Sequence, residues 1–243
     1  MLTAGSMDAG DVVFLLDVDN TLLDNDRFAV DLRARLTEDF GTAECDRYWT
    51  LYNGLRQQLG YADYLAALQQ FRNGCRDDRK LLLMSDFLLD YPFAEHLYPR
   101  ALQAIAQLRT LGLPVVLSDG DIVFQPRKIQ RSGIWDAVDG RVMICTHKEG
   151  SLPAMQARFP AAHYVMVDDK PQLLAAMKRA MGDNLTTVFV RQGHYATESA
   201  TATIDPPPDC SIERIGELCE PGFAGLLAEA SMPKAPAATA AAR

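Results

Sequence analysis

Apolar residues fall along this chain in two rhythms. Short unbroken runs occur at 12–16, 114–117, 142–145 and 164–167, rich in Val and Leu, and a last strand is read at 186–190. Runs of that length with no alternation read as strands of a parallel sheet, buried on both faces. Between the later runs, apolar residues return every three or four positions, predicting helices at 100–111, 122–131, 151–159 and 172–181. Alternating strands and helices predict an α/β core, a Rossmann-like parallel sheet with helices on both faces and right-handed crossovers.

The stretch after the first strand breaks the alternation. Residues 28–40, 46–59, 62–72 and 79–89 all carry helical spacing, with Gly41, Gly60 and Gly74 as breaks between them. This predicts an α/β core at 11–24 and 97–220 with an all-helical insertion at 25–96. Within 212–218 the spacing suggests one more helix. Residues 1–10 and the Ala/Pro-rich 231–243 read as disordered tails, with Met7 a possible internal start.

Charge appears where the strands should surface. Asp17 and Asp19 follow the first run, and side chains two apart on extended chain point the same way. Asp168-Asp169 closes the 164–167 run in the same manner. If these strands are neighbours, carboxylates converge at one sheet edge, and two such charges ~4 Å apart repel by roughly 4 kcal/mol at an effective dielectric of 20. A divalent cation removes that penalty, and oxygen ligands without nearby His or Cys favour Mg²⁺ over zinc. Ser118-Asp119-Gly120-Asp121 ends the 114–117 run, where a hydroxyl and a glycine-opened backbone suit phosphate oxygens. Lys148 follows the 142–145 run, placed to neutralise a phosphate or a carboxylate. Lys128 competes for that role but sits mid-helix, which favours Lys148.

The order of these pieces resembles the haloacid dehalogenase-like superfamily: Asp17-Val18-Asp19-Asn20-Thr21-Leu22, then Ser118, Lys148 and Asp168-Asp169, over roughly residues 11–195. The resemblance implies an Mg²⁺-dependent phosphatase. Asp17 would be the nucleophile that forms an aspartyl-phosphate, and Asp19 would serve as the general acid and base. Ser118 and Lys148 would hold the phosphoryl oxygens, with Asp119 and Gly120 beside them, and Thr21 would support the first loop at the substrate site. Asp17, Asp168, Asp169 and the Asp19 backbone carbonyl would hold the metal. Family dehalogenases lack an aspartate at the Asp19 position, because a halide leaving group needs no proton; a mutase would use the same residues as a phosphatase. One departure is Glu149, where the family commonly has proline after the lysine. The insertion resembles the family's helical cap, which closes over the site and selects substrate. Its pocket candidates are Arg33, Tyr48, Arg56, Tyr61 and Tyr64, with Arg56 suited to clamp a second anionic group. His147, Arg191 and His194 lie near the strand ends. The implied substrate is a small phosphorylated metabolite. A non-catalytic protein of this fold would be signalled by loss of Asp17, Asp19 or Asp168, and all three are present.

Composition narrows partners. Acidic residues number 32 against 24 basic, a net charge of −8, which disfavours nucleic acid. No apolar run is long enough to span a membrane, and the N-terminus lacks the pattern of a signal peptide. Five irregularly spaced cysteines read as reduced thiols of a cytoplasmic protein.

Overall fold

The computed structural model of the protein describes residues 12–198 and 203–230; the expected tails at 1–10 and 231–243 lie outside the described residues. Strand β1 (Val12–Leu16) is followed by four helices, α1 (Asn25–Phe40), α2 (Thr42–Leu59), α3 (Tyr64–Phe71) and α4 (Asp78–Asp90). The chain then alternates: α5 (Ala101–Leu108), β2 (Leu113–Asp119), α6 (Phe124–Arg131), α7 (Ile134–Ala137), β3 (Val142–Cys145), α8 (Leu152–Arg158), β4 (His163–Asp168), α9 (Pro171–Met181), β5 (Leu185–Val190), α10 (Gly193–Glu198), β6 (Cys210–Ile212) and α11 (Phe223–Ala230).

All six strands pair in parallel, in the order β3-β2-β1-β4-β5-β6. The unbroken apolar run of β1 is explained by burial on both faces. Phe14 and Leu16 pack with the helices of the insertion and with α5 and α6, while Val13 and Leu15 pack with α8 and α9. The order turns around β1, the position at which ligands bind open α/β sheets beyond the carboxyl ends of the strands. β1 and β4 run side by side with Leu16 opposite Val167, so Asp17 and Asp168 emerge together.

Two details correct the sequence reading. Ile212 ends a sixth strand instead of opening a helix; a short 3₁₀ helix follows at Ile215–Cys219. The helix expected at 62–72 shortens to Tyr64–Phe71 and passes into a 3₁₀ turn, Arg72–Gly74.

The insertion enters and leaves through paired linkers. Leu23 bridges Leu97, the Asp24 amide donates to the His96 carbonyl (2.8 Å) and the Tyr98 amide to that of Leu22 (3.0 Å). A tight turn at 18–23 precedes the entry. There Asn20 takes a left-handed conformation (φ 61°), which asparagine tolerates better than most residues, and its Oδ1 accepts from the Asn25 and Asp26 amides. No helix among the described residues is long and apolar enough to cross a membrane.

Candidate active site

The site lies where β1, β2 and β4 end beneath the helical insertion. Asp17, Asp168 and Asp169 are buried, and one ligand oxygen from each falls within 4.8 Å of the others. Lys148, fully buried at the start of a 3₁₀ turn after β3, links two of them. Its Nζ donates to Asp17 Oδ1 and to Asp168 Oδ2, the latter at 2.7 Å. Burial works against the ammonium, but Asp168, Asp17 and Asp119 around it hold its pKa above that of an ordinary lysine. Lys170, whose amide donates to Asp168 Oδ1 (2.8 Å), is half-buried and kept charged by Asp17 and Asp168.

The carboxylates are not fully compensated. Burial, with Asp168 and Asp17 close by, pushes Asp169 up to about 9. Both of its oxygens, and Asp17 Oδ2, are buried with no hydrogen-bond partner. Unpaired buried carboxylate oxygens are costly, and the convergence of one oxygen each from Asp17, Asp168 and Asp169 fits the donor set of a hard divalent cation. Asp17, Asp168 and Asp169 would hold it. The side chain of Asp19 is engaged elsewhere.

Asp19 rests in a clamp from α6. Its Oδ1 accepts from Lys128 Nζ (2.6 Å) and its Oδ2 from Gln125 Nε2 (3.3 Å), which also donates to Ser118 Oγ (2.9 Å). Lys128 is completely buried, donates to Asn25 Oδ1 (3.0 Å) at the start of α1, and lies over the Phe124 ring. The two lysines therefore divide the work: Lys148 serves Asp17 and Asp168, and Lys128 serves Asp19. The buried face of α6 is Phe124, Gln125, Lys128 and Ile129. Two polar residues in register with two apolar ones are the sequence signal for this clamp.

The remaining candidates are distributed as follows. Asp119, pushed up to about 6 mainly by burial, lines the cavity with Asp19, whereas Asp17, Ser118, Lys148, Asp168 and Asp169 are not among its lining residues. The Gly120 amide donates to the Cys145 carbonyl (3.0 Å), so it is spent in the sheet and not offered to a ligand. Its lack of a side chain admits Gln125, whose Cβ would lie 2.8 Å from a Cβ at that position. Thr21 is buried within the first loop, away from the cavity lining, and its carbonyl accepts from Gln192 Nε2 (3.1 Å). The cavity, of about 390 Å³, is lined by Arg56, Tyr61 and Tyr64 from the insertion and by His147 and His194 from the core. Arg33 and Tyr48 do not reach it. Arg33 pairs with Asp46 and stacks on Trp49, and the Tyr48 hydroxyl donates to the Tyr64 carbonyl (2.9 Å) inside the helical layer. Arg191 pairs with Glu213. Unforeseen lining comes from Trp49, Tyr52, Asn53, Lys170 and Tyr195.

A haloacid dehalogenase-like hydrolase family model matches residues 12–181. No curated protein matches the sequence. Among solved structures, a protein described as a haloacid dehalogenase-like hydrolase from Burkholderia xenovorans LB400 is 56% identical, with a TM-score of 0.82 over 87% of this chain and 98% of its own. The HAD-hydrolase YfnB of Bacillus subtilis, solved bound to magnesium and described as showing interdomain movement, shares the fold at 18% identity (TM-score 0.59; 86% of this chain, 97% of its own). A dehalogenase does so at 17% identity (TM-score 0.53; 87% and 96%). The family match and the 56% identical relative place this chain in the haloacid dehalogenase-like hydrolases, as an enzyme with a buried aspartate cluster able to bind a divalent metal.

Proposed function

We propose that the protein is an Mg²⁺-dependent phosphatase acting on a small phosphorylated metabolite, and that residues 25–96 are a cap over its site. The observation that carries this reading is the pairing of two carboxylates held for different tasks. Asp17 has one oxygen on Lys148 and the other free at the cluster. Asp19, lining the cavity, has both oxygens held by α6. A displacement with a halide leaving group has no use for the second carboxylate, whereas breaking a phosphate ester does.

In this mechanism Asp17 attacks phosphorus and the ester oxygen departs, taking a proton from Asp19. The same carboxylate then accepts a proton from the water that attacks the aspartyl-phosphate, releasing phosphate and Asp17. Lys148, and Ser118 at the end of β2, balance and orient the phosphoryl oxygens, which is most of what phosphoryl transfer asks of a protein. Mg²⁺ bound by Asp17, Asp168 and Asp169 would supply charge neutralisation for an anionic nucleophile meeting an anionic substrate. The cap bounds the cavity from above and limits it to small molecules.

The test is phosphate release from p-nitrophenyl phosphate and a panel of phosphorylated metabolites, with Mg²⁺ or EDTA, beside chloride release from 2-chloropropionate. Metal-dependent phosphate release that Asp19→Asn lowers by about 100- to 10,000-fold is the expected result. Halide release that survives Asp19→Asn would replace the phosphatase reading with a dehalogenase.

A further inference from the structure

The cap presents one face of α2 to the cavity. Trp49, Tyr52, Asn53 and Arg56 recur at three- and four-residue spacing, and Gly60 ends the helix one turn beyond Arg56. Gly60 is left-handed (φ 80°), and a Cβ there would overlap Cε1 of His147, the residue before Lys148. This close approach fixes the end of α2 against the core, and with it the position of Arg56 at the cavity rim.

The helices α1 and α2 carry five arginines. Arg27, Arg33, Arg35 and Arg47 each pair with a carboxylate. Among the described residues, Arg56 pairs with none; its guanidinium donates to the Tyr195 hydroxyl across the cavity. The core side of the same cavity carries Asp19, Asp119 and Glu149, and Asp26 at the first turn of α1 is paired with His194. Lys170 is the cation on the core side, but its charge is set against Asp17 and Asp168. This leaves Arg56 on the roof as the lining cation with no carboxylate partner among the described residues and the place best able to attract a second negative charge of the substrate. A neutral phenol is a weak partner for a guanidinium compared with a carboxylate or phosphate, which can engage it through two parallel hydrogen bonds.

We propose that Arg56 binds a second anionic group of the substrate, so that the enzyme prefers phosphomonoesters bearing a carboxylate or a second phosphate at the end remote from the scissile ester. This rests on the phosphatase reading and names the substrate class of that site. Tyr195, released from Arg56 or joining it, offers its hydroxyl to the same group.

Chain-matched four-carbon probes test it: butyl phosphate, 4-phosphooxybutanoate and 1,4-butanediol bisphosphate, with p-nitrophenyl phosphate as reference. The expected result is a kcat/KM for at least one probe bearing a second anionic group about tenfold or more above butyl phosphate, carried mainly by KM. Arg56→Gln brings that ratio close to one and Arg56→Lys restores part of it; whichever of the carboxylate and bisphosphate gains more identifies the anion. Equal or better use of butyl phosphate by the wild type would overturn the proposal. So would Arg56→Gln lowering all the probes by the same factor, the mark of a latch to Tyr195 and nothing more. A wild type inert on the reference ester as well would instead bring down the phosphatase reading, and the proposal with it.

Discussion

Replacing Asp169 with asparagine isolates the energetic cost of crowding three buried carboxyl groups together. In the folded chain the Asp169 carboxyl is raised from 3.8 to about 9, by burial first and by Asp168 and Asp17 second. A raised acid stabilises the fold fully below its unfolded value and loses that contribution as pH climbs towards the folded one. The loss is about 1.4 kcal/mol per pH unit across this window. At pH 7 it is of the order of 4 kcal/mol, a large share of a typical ~5–15 kcal/mol stability. An asparagine side chain cannot ionise and so escapes the loss. In EDTA, Asp169→Asn should unfold at the same temperature as wild type near pH 4 and at a higher one by pH 7, by about 10 °C at ~2–4 °C per kcal/mol. Mg²⁺ should reverse the ranking, because it binds the wild-type cluster and raises its stability by mass action, while the variant has lost a ligand. Thermal unfolding across pH 4–8, with EDTA and with Mg²⁺, reads both effects. A variant that gains nothing with pH in EDTA, or that responds to Mg²⁺ as wild type does, would refute the account of the cluster.

Two further outcomes follow from the geometry. Lys128→Met should lower kcat by about 10- to 100-fold with a smaller effect on KM, since a misplaced catalytic group can cost that much; in steady-state kinetics, Lys128→Met added to Asp19→Asn should cost almost nothing more, and multiplicative losses would count against the clamp. Gly60→Ala should destabilise by about 1–2 kcal/mol from its left-handed backbone alone, plus the clash with the His147 ring; urea unfolding should show His147→Ala relieving the second part only, and strictly additive effects would contradict the close approach.

Much of the fold was legible because burial on both faces leaves an unmistakable mark. The four apolar runs and the 186–190 segment became β1 to β5, and Asp17 and Asp168 could be placed together once strand ends were taken as the surface of the sheet. Strand β6 escaped notice because it is three residues long, with Ser211 exposed at its centre. It is a strand only through its pairing with β5, a non-local fact. The site was less legible for a related reason. Lys148 stood out by following a strand, whereas Lys128 sits inside a helix, where periodicity alone does not say which face is buried. The register of Gln125 and Lys128 with Phe124 and Ile129 is the one trace of the clamp in the sequence. In the insertion, spacing gave the helices but not their rotation, so Arg33 and Tyr48 stood among the pocket candidates beside Arg56 although only Arg56 of the three reaches the cavity. Gly60 read as a helix break and is one; that it also makes room for His147 depends on a contact between segments 87 residues apart in sequence.

The central claim is that Asp17 carries the phosphoryl group. Acid quenching during turnover of a ³²P-labelled substrate, followed by peptide mapping, tests it most directly. The account predicts hydroxylamine-labile label on the peptide containing Asp17, formed with Mg²⁺, absent with EDTA and absent in Asp17→Asn. Turnover by the Asp17→Asn variant, or label residing on another residue, would contradict it.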